Sequence, residues 1–173
     1  MKITINEKNL IPNENWQYFT KVRAIIKNDK NEYVITHESN KIIFPGGKVE
    51  KKEEPLDAII RELQEELGIS FAKEEIKQEL EIESYYDNYY DVREKIYTPR
   101  YTKTYYFSIN TDKKLNLNNQ KLTDDEINQN FKIFFTTKEN LIDLIKEDHS
   151  KAYNGEYFDT ENLIVLDQII NTN

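Results

Sequence analysis

The chain has 173 residues, no cysteine, and 32 acidic against 24 basic side chains, a net charge of −8 at pH 7. That length suits a single domain, residues 1–173, with room for a core. The missing cysteines exclude disulfides and Cys-ligated zinc or iron–sulfur centres, and the acidic balance argues against long nucleic acid as a partner.

No apolar run approaches the length of a membrane span, and the amino terminus has no signal-peptide pattern, so the expectation is a cytoplasmic protein without a membrane partner. Whether it forms a homodimer is left open. In chain order, Ile3 and Ile5 alternate in a short strand or arm. Val22, Ala24 and Ile26 alternate against Lys21, Arg23 and Ile25 in the first strong strand, which starts near Trp16. Asn28-Asp29-Lys30-Asn31 has turn composition and leads into Tyr33-Val34-Ile35, the second strand of a hairpin. Lys41–Phe44 reads as a short strand ending in Pro45-Gly46-Gly47, a loop free to bring backbone close to a ligand.

A helix follows. Pro55 suits its first turn and Asp57 the positive end of its dipole. Leu56, Ile59, Ile60, Leu63 and Leu67 make one apolar stripe, and Gly68 suits the residue just past the helix end. Beyond it, Ile76–Tyr86, Tyr101–Ile109 and Phe131–Phe135 read as strands. Thr137 is expected to cap a helix from Lys138 to about Lys146, and Thr160 to cap the last helix, with Leu163, Ile164, Leu166, Ile169 and Ile170 apolar. Mixed strands with one early and two late helices predict an α+β fold, an α/β/α sandwich.

At about 100° per residue Glu62, Glu65 and Glu66 share one flank of the first helix, away from the stripe. Like charges three and four residues apart repel, so the cluster makes sense if a hard divalent cation sits among the oxygens. A solvated acidic face is the plainer alternative for an arbitrary helix.

The spacing settles between them. From Gly47 to Ile69 the chain reads glycine, five residues, Glu53, seven residues, Arg61-Glu62-Leu63, one residue, Glu65-Glu66, one residue, Gly68-Ile69. This resembles, without gap or substitution, the signature box of the Nudix hydrolases, G-x5-E-x7-R-E-U-x-E-E-x-G-U with U aliphatic. The resemblance implies a mixed sheet sandwiched between helices, with the box forming a loop–helix–loop beside the substrate cleft. It also implies a small nucleotide-type substrate, a nucleoside diphosphate linked to another moiety, and Mg2+ (or Mn2+) as cofactor.

Carried onto this sequence, the family pattern makes Glu62, Glu65 and Glu66 metal-facing carboxylates, with the Gly46 carbonyl a further ligand. Glu53 and Arg61 become an ion pair bracing loop against helix, Leu63 and Ile69 core positions, and Gly47 and Gly68 backbone-geometry positions. Glu65 is the expected general base, with Glu62 and Arg61 in the same catalytic group. A further acid from a later loop is expected in Asp124-Asp125-Glu126, with Glu126 preferred; a helix cap after Thr123 accounts for it equally well.

Four arginines occur, Arg23, Arg61, Arg93 and Arg100. Arg23, on the strand before the box, is the candidate phosphate ligand through its bidentate fork. Eight of the twelve tyrosines lie between Tyr85 and Tyr106. They read either as a lip that stacks on a base or as strand formers on a half-buried sheet. Tyr86 stands eighteen positions after Gly68, where some diadenosine polyphosphate hydrolases of the family carry a tyrosine, and is the candidate base contact. Ser84 stands where many ADP-ribose hydrolases carry proline. His37 and His149 have no partners in sequence and are expected to be structural or exposed. The alternative function is a non-catalytic module that binds a nucleotide or sugar phosphate on the same fold. Such modules usually lose a box glutamate, and none is lost here.

Overall fold

The computed structural model describes residues 1–38, 41–91, 95–151 and 158–171. Its strands are β1 (Lys2–Ile5), β2 (Gln17–Asn28), β3 (Tyr33–Glu38), β4 (Lys41–Ile43), β5 (Lys77–Asp91), β6 (Ile96–Thr111) and β7 (Lys132–Thr136). Its helices are α1 (Pro55–Leu67), α2 (Asp124–Asn128), α3 (Lys138–Lys151) and α4 (Phe158–Val165), the last continued by a π-helical turn over Leu166–Ile170.

The strands form one mixed sheet in the order β1-β5-β6-β2-β3-β4, with β7 against β3. β1 runs parallel to β5 and β2 parallel to β6, while the other pairs are antiparallel. Alternation along the strands divides the apolar side chains between two faces. Val22, Ala24, Ile26, Phe107 and Ile109 pack under Ala58, Ile59, Leu63 and Leu67 of α1. Ile25, Ile35, Leu80 and Ile82 pack under Leu141 and Ile145 of α3 and under Val165, Leu166, Ile169 and Ile170. The predicted α/β/α sandwich is therefore the fold.

What positions the glycine loop is a gap in the sheet. β2 and β3 pair only at Ile26–Val34 and Lys27–Tyr33 before they diverge. The free edge of β2 is taken by the loop: Ala24 N–H donates to Pro45 O at 2.8 Å, Val22 N–H to Gly47 O at 2.9 Å and Val49 N–H to Thr20 O at 2.9 Å. Satisfying these edge donors ties the loop to the middle of the sheet.

The turn between β2 and β3 is as expected. Asn28 Oδ1 accepts from Lys30 N–H at 3.0 Å and Glu32 N–H at 2.8 Å, and Asn31 takes a φ of 61°. β5 and β6 run well past their predicted ends, with a register irregularity between Tyr86 and Tyr89. Pro99 lies within β6. β6 tolerates it because pairing to β2 begins only at Arg100, so Pro99 has a strand neighbour on one side alone. α4 begins at Phe158, two residues before the expected Thr160 cap, and α3 runs to Lys151 rather than about Lys146.

Candidate active site

α1 starts with Pro55 in its first turn and ends at Gly68, which takes the left-handed conformation (φ 68°) and donates its N–H to Gln64 O at 3.1 Å. The remaining carbonyls of its last turn are met from outside. Lys121 N–H donates to Glu65 O at 2.8 Å, Gln120 Nε2 to Glu66 O at 2.6 Å and Asn116 N–H to Leu67 O at 3.0 Å. A Cβ at Gly68 would lie 1.9 Å from Asn116 O, so both conformation and space require glycine there.

On the acidic flank, Arg61 is the hub. Its Nε and Nη2 grip Glu53 Oε1 and Oε2 at 2.9 and 3.0 Å, and its Nη2 also donates to Lys48 O at 3.1 Å. Its Nη1 reaches Glu62 Oε1 at 2.9 Å and Glu65 Oε2 at 3.0 Å. One planar fork thus joins the glycine loop, the turn before α1 and two carboxylates of α1. The guanidinium holds the Glu53 carboxyl below the usual carboxylate range.

Glu66 faces inward and is 4% exposed; Gly46 N–H donates to its Oε2 at 2.8 Å. Burial pushes its pKa well above the ordinary value, with the nearby charges of Glu62 and Glu126 adding and Arg23 and the Gly46 N–H opposing. Burial also raises Glu62, against the pull of Arg61. The Glu62 carboxylate lies over Gly47, where a Cβ would come within 2.4 Å of Oε1. Glu65 is the most open of the three carboxylates, its side chain 37% exposed against 11% for Glu62.

Arg23 leaves β2 on the α4 side of the sheet and donates from Nη1 to the Gly46 carbonyl. It also lines a small pocket of about 10 Å3, room for about one water, together with Lys21, Ile43, Phe44, Thr104, Tyr106, Glu161 and Asn162. Arg23 therefore bridges the box and the pocket. Glu126 sits on α2, where its Oε2 accepts the N–H and hydroxyl of Thr123 at 2.6 and 2.8 Å; its negative charge adds to the upward push on Glu66. The Glu126 N–H returns a bond to Thr123 Oγ1 at 3.3 Å, completing a capping box at the start of α2. The hydrogen bonds of Glu126 are those of the capping reading.

Tyr86 requires a correction. It is 2% exposed and its hydroxyl donates to Glu161 at 3.0 Å, so its ring offers no open face on which a base could stack. The strand period explains this: Tyr86 and Tyr106 point toward α4, while Tyr85 and Tyr101 point to the opposite face and meet edge-on at 5.0 Å beside Trp16. The tyrosine-rich stretch is mostly sheet. His37 lies on β3; Arg93 and the His149 side chain lie outside the described residues.

Sequence reasoning missed the pocket's Glu161 and Asn162. A signal was present, because counting back four residues from Val165 and Leu166 lands on these two, placing them on the buried face of α4.

Residues 17–154 match the NUDIX domain. The chain belongs to the NUDIX domain family. It is 51% identical over 53 residues to the 8-oxo-dGTP diphosphatase of Escherichia coli K12, a match covering 27% of this chain and 41% of that protein's length. A MutT structure from work on Aliivibrio salmonicida and Vibrio cholerae superposes with a TM-score of 0.55 at 21% identity, over 91% of this chain and 100% of that one. A Caenorhabditis elegans Ap4A hydrolase in a binary complex gives 0.52 at 15% identity, over 89% and 98%. These structural likenesses establish the Nudix fold. Among the described residues no helix is long and apolar enough to cross a membrane.

Proposed function

We propose that this single-domain protein hydrolyses a phosphoanhydride bond in a nucleoside diphosphate linked to another moiety, with Mg2+ or Mn2+ bound at the box. The observation that supports this reading most strongly is the box itself, complete in sequence and locked by the Arg61 fork into one loop–helix unit beside the pocket. The short stretch shared with the 8-oxo-dGTP diphosphatase makes a nucleoside triphosphate the first candidate.

Nudix hydrolases generally need a divalent metal, and the donors here suit one. Glu62, Glu65, Glu66 and the Gly46 carbonyl offer only oxygen, the preference of a hard cation. Two of the carboxylates are buried and raised, a cost that a bound cation removes. Among the described residues no three acidic or histidine side chains are yet gathered at metal-binding geometry, because Arg61 holds Glu62 and Glu65 and Gly46 N–H holds Glu66. When bound, the cation supplies charge neutralisation on the phosphate oxygens and a more acidic water.

The chain's own groups do the rest. Arg23 presents a fork between box and pocket, suited to orient the phosphates. Glu65, the most open box carboxylate, accepts the proton of the attacking water; Glu62 and Arg61 fix its position, and Glu126 adds an acidic group at the rim. The test is mononucleotide and phosphate release from dNTPs, diadenosine polyphosphates and ADP-sugars with Mg2+ or Mn2+, against EDTA. Metal-dependent release supports the reading; binding of these compounds without release favours the non-catalytic module.

A further inference from the structure

α1 ends on carbonyls that its own chain does not serve. The left-handed Gly68 turns the backbone away, so Glu65, Glu66 and Leu67 lose the N–H groups that a continuing helix would supply. Two of these three residues carry box carboxylates. The donors that replace the helix all come from one segment, residues 116–121, between β6 and α2.

That segment grips the helix end at three points. Asn116 N–H donates to Leu67 O at 3.0 Å and Lys121 N–H to Glu65 O at 2.8 Å. Between them a 3-10 turn over Leu117–Asn119 closes on itself, Asn119 N–H donating to Asn116 O at 2.8 Å and Gln120 N–H to Leu117 O at 3.3 Å. The Gln120 side chain fills the remaining place, its Nε2 donating to Glu66 O at 2.6 Å. Gly68 makes room for the approach, since a Cβ there would stand 1.9 Å from Asn116 O. The last glycine of the box therefore admits the segment as well as ending the helix.

The consequence is directional. On a helix the backbone sets each Cα–Cβ direction, so holding the Glu65 and Glu66 carbonyls also aims their carboxylates. Glu66 is fixed at both ends: Gln120 meets its carbonyl, and Gly46 N–H meets its carboxylate at 2.8 Å. We propose that Gln120 is a positioning residue for the box, acting through the Glu66 backbone to fix the oxygens that take the divalent cation. This rests on the cation binding at those oxygens. Of the three donors to the helix end, Gln120 alone is a side chain and can be replaced without touching the main chain. Gln120→Met keeps the length of the side chain and removes its donor; Gln120→Ala removes donor and stem together.

The experiment is a Mn2+ titration read by the paramagnetic resonance of the free ion, on wild type, both Gln120 variants and Ser108→Ala, each with a thermal melt. Ser108→Ala is the control for general loosening. It removes the bond from Ser108 Oγ to Glu79 Oε1 at 2.7 Å, on the sheet face opposite α1, because Phe107 and Ile109 face that helix. The expected result is a Mn2+ Kd raised about tenfold in the Gln120 variants, the scale of losing a group that orients a metal ligand, and within about twofold of wild type in Ser108→Ala. Either Gln120 variant carries the test if the other does not fold. Wild-type Mn2+ affinity in a folded Gln120 variant overturns the proposal alone, as does an equal loss in Ser108→Ala. A wild type that takes up no Mn2+ overturns it together with the metal reading, so the two failures are distinguishable.

Discussion

The backbone N–H of Gly46 donates to Glu66 Oε2 at 2.8 Å across 20 positions of sequence, and this bond closes the glycine loop onto the catalytic-type helix. The same loop residue accepts from Arg23 through its carbonyl. One residue therefore links the buried carboxylate to Arg23, and the predictions below probe that arrangement.

Arg61→Ala removes the guanidinium from Glu53, Glu62 and Glu65 together, leaving Glu53 the N–H of Glu50. Carboxylates left half-buried without partners are costly, so stability should fall by about 1–3 kcal/mol and activity should fall with it. Arg61→Lys should recover little, because an ammonium cannot serve both oxygens of Glu53 and two further carboxylates in one plane. Thermal melts and initial rates check this; a wild-type melting temperature for Arg61→Ala rules out the bracing role.

Two box glycines should fail in different ways. Gly68→Ala meets Asn116 O and a positive φ, and should destabilise by about 1 kcal/mol or more. Gly47 has no such backbone demand; its added Cβ would strike the Glu62 carboxylate instead. Gly47→Ala should therefore lower kcat far more than the melting temperature. Equal effects of both substitutions on both readouts would contradict the distinction.

Stability against pH should show two limbs of opposite sign in EDTA. Glu66, and less strongly Glu62, have raised values in the fold, so their contribution is complete below the usual 4.5 and is lost as pH rises through the folded value. The melting temperature should thus rise on acidification from neutral pH toward 4.5. Glu83 is lowered to about 2 by its hydrogen bond from Lys2 and by Lys103, so its contribution holds above 4.5 and is lost between 4.5 and about 2. Glu66→Gln should flatten the first limb and Glu83→Gln the second. A neutral limb unchanged in Glu66→Gln would contradict the burial of that carboxylate.

Tyr86→Phe keeps the ring and removes one donor to Glu161, and should cost about 0.5–1.5 kcal/mol of stability. A melting temperature equal to wild type would mean that the Tyr86 hydroxyl contributes nothing through Glu161.

Much of this was legible in the chain. The helix of the box is bounded where Pro55 and Gly68 place it, because an N-terminal proline and a left-handed glycine are local constraints that tertiary packing does not override. The two-sided sandwich followed from stripes of period 3.6 and 2. What stayed hidden was non-local. Whether Tyr86 points to solvent or to α4 depends on which face of β5 the last helix covers, and a strand's own residues do not say. The period of α4 places Glu161 on its buried face, but the four hydroxyls that meet it come from two other strands and are not visible in its own segment. Thr123 and Glu126 met the capping reading, because a capping box is made by residues three apart and is a local feature of the sequence.

The most direct test of the central claim is the turnover number of Glu65→Gln beside wild type, with Mg2+, on whichever nucleotide of the panel wild type cleaves fastest. The account predicts a loss of about 100-fold or more, in the range for removing a positioned base, with the melting temperature unchanged because α1's apolar stripe is untouched. Wild-type turnover in a fully folded Glu65→Gln protein would contradict it.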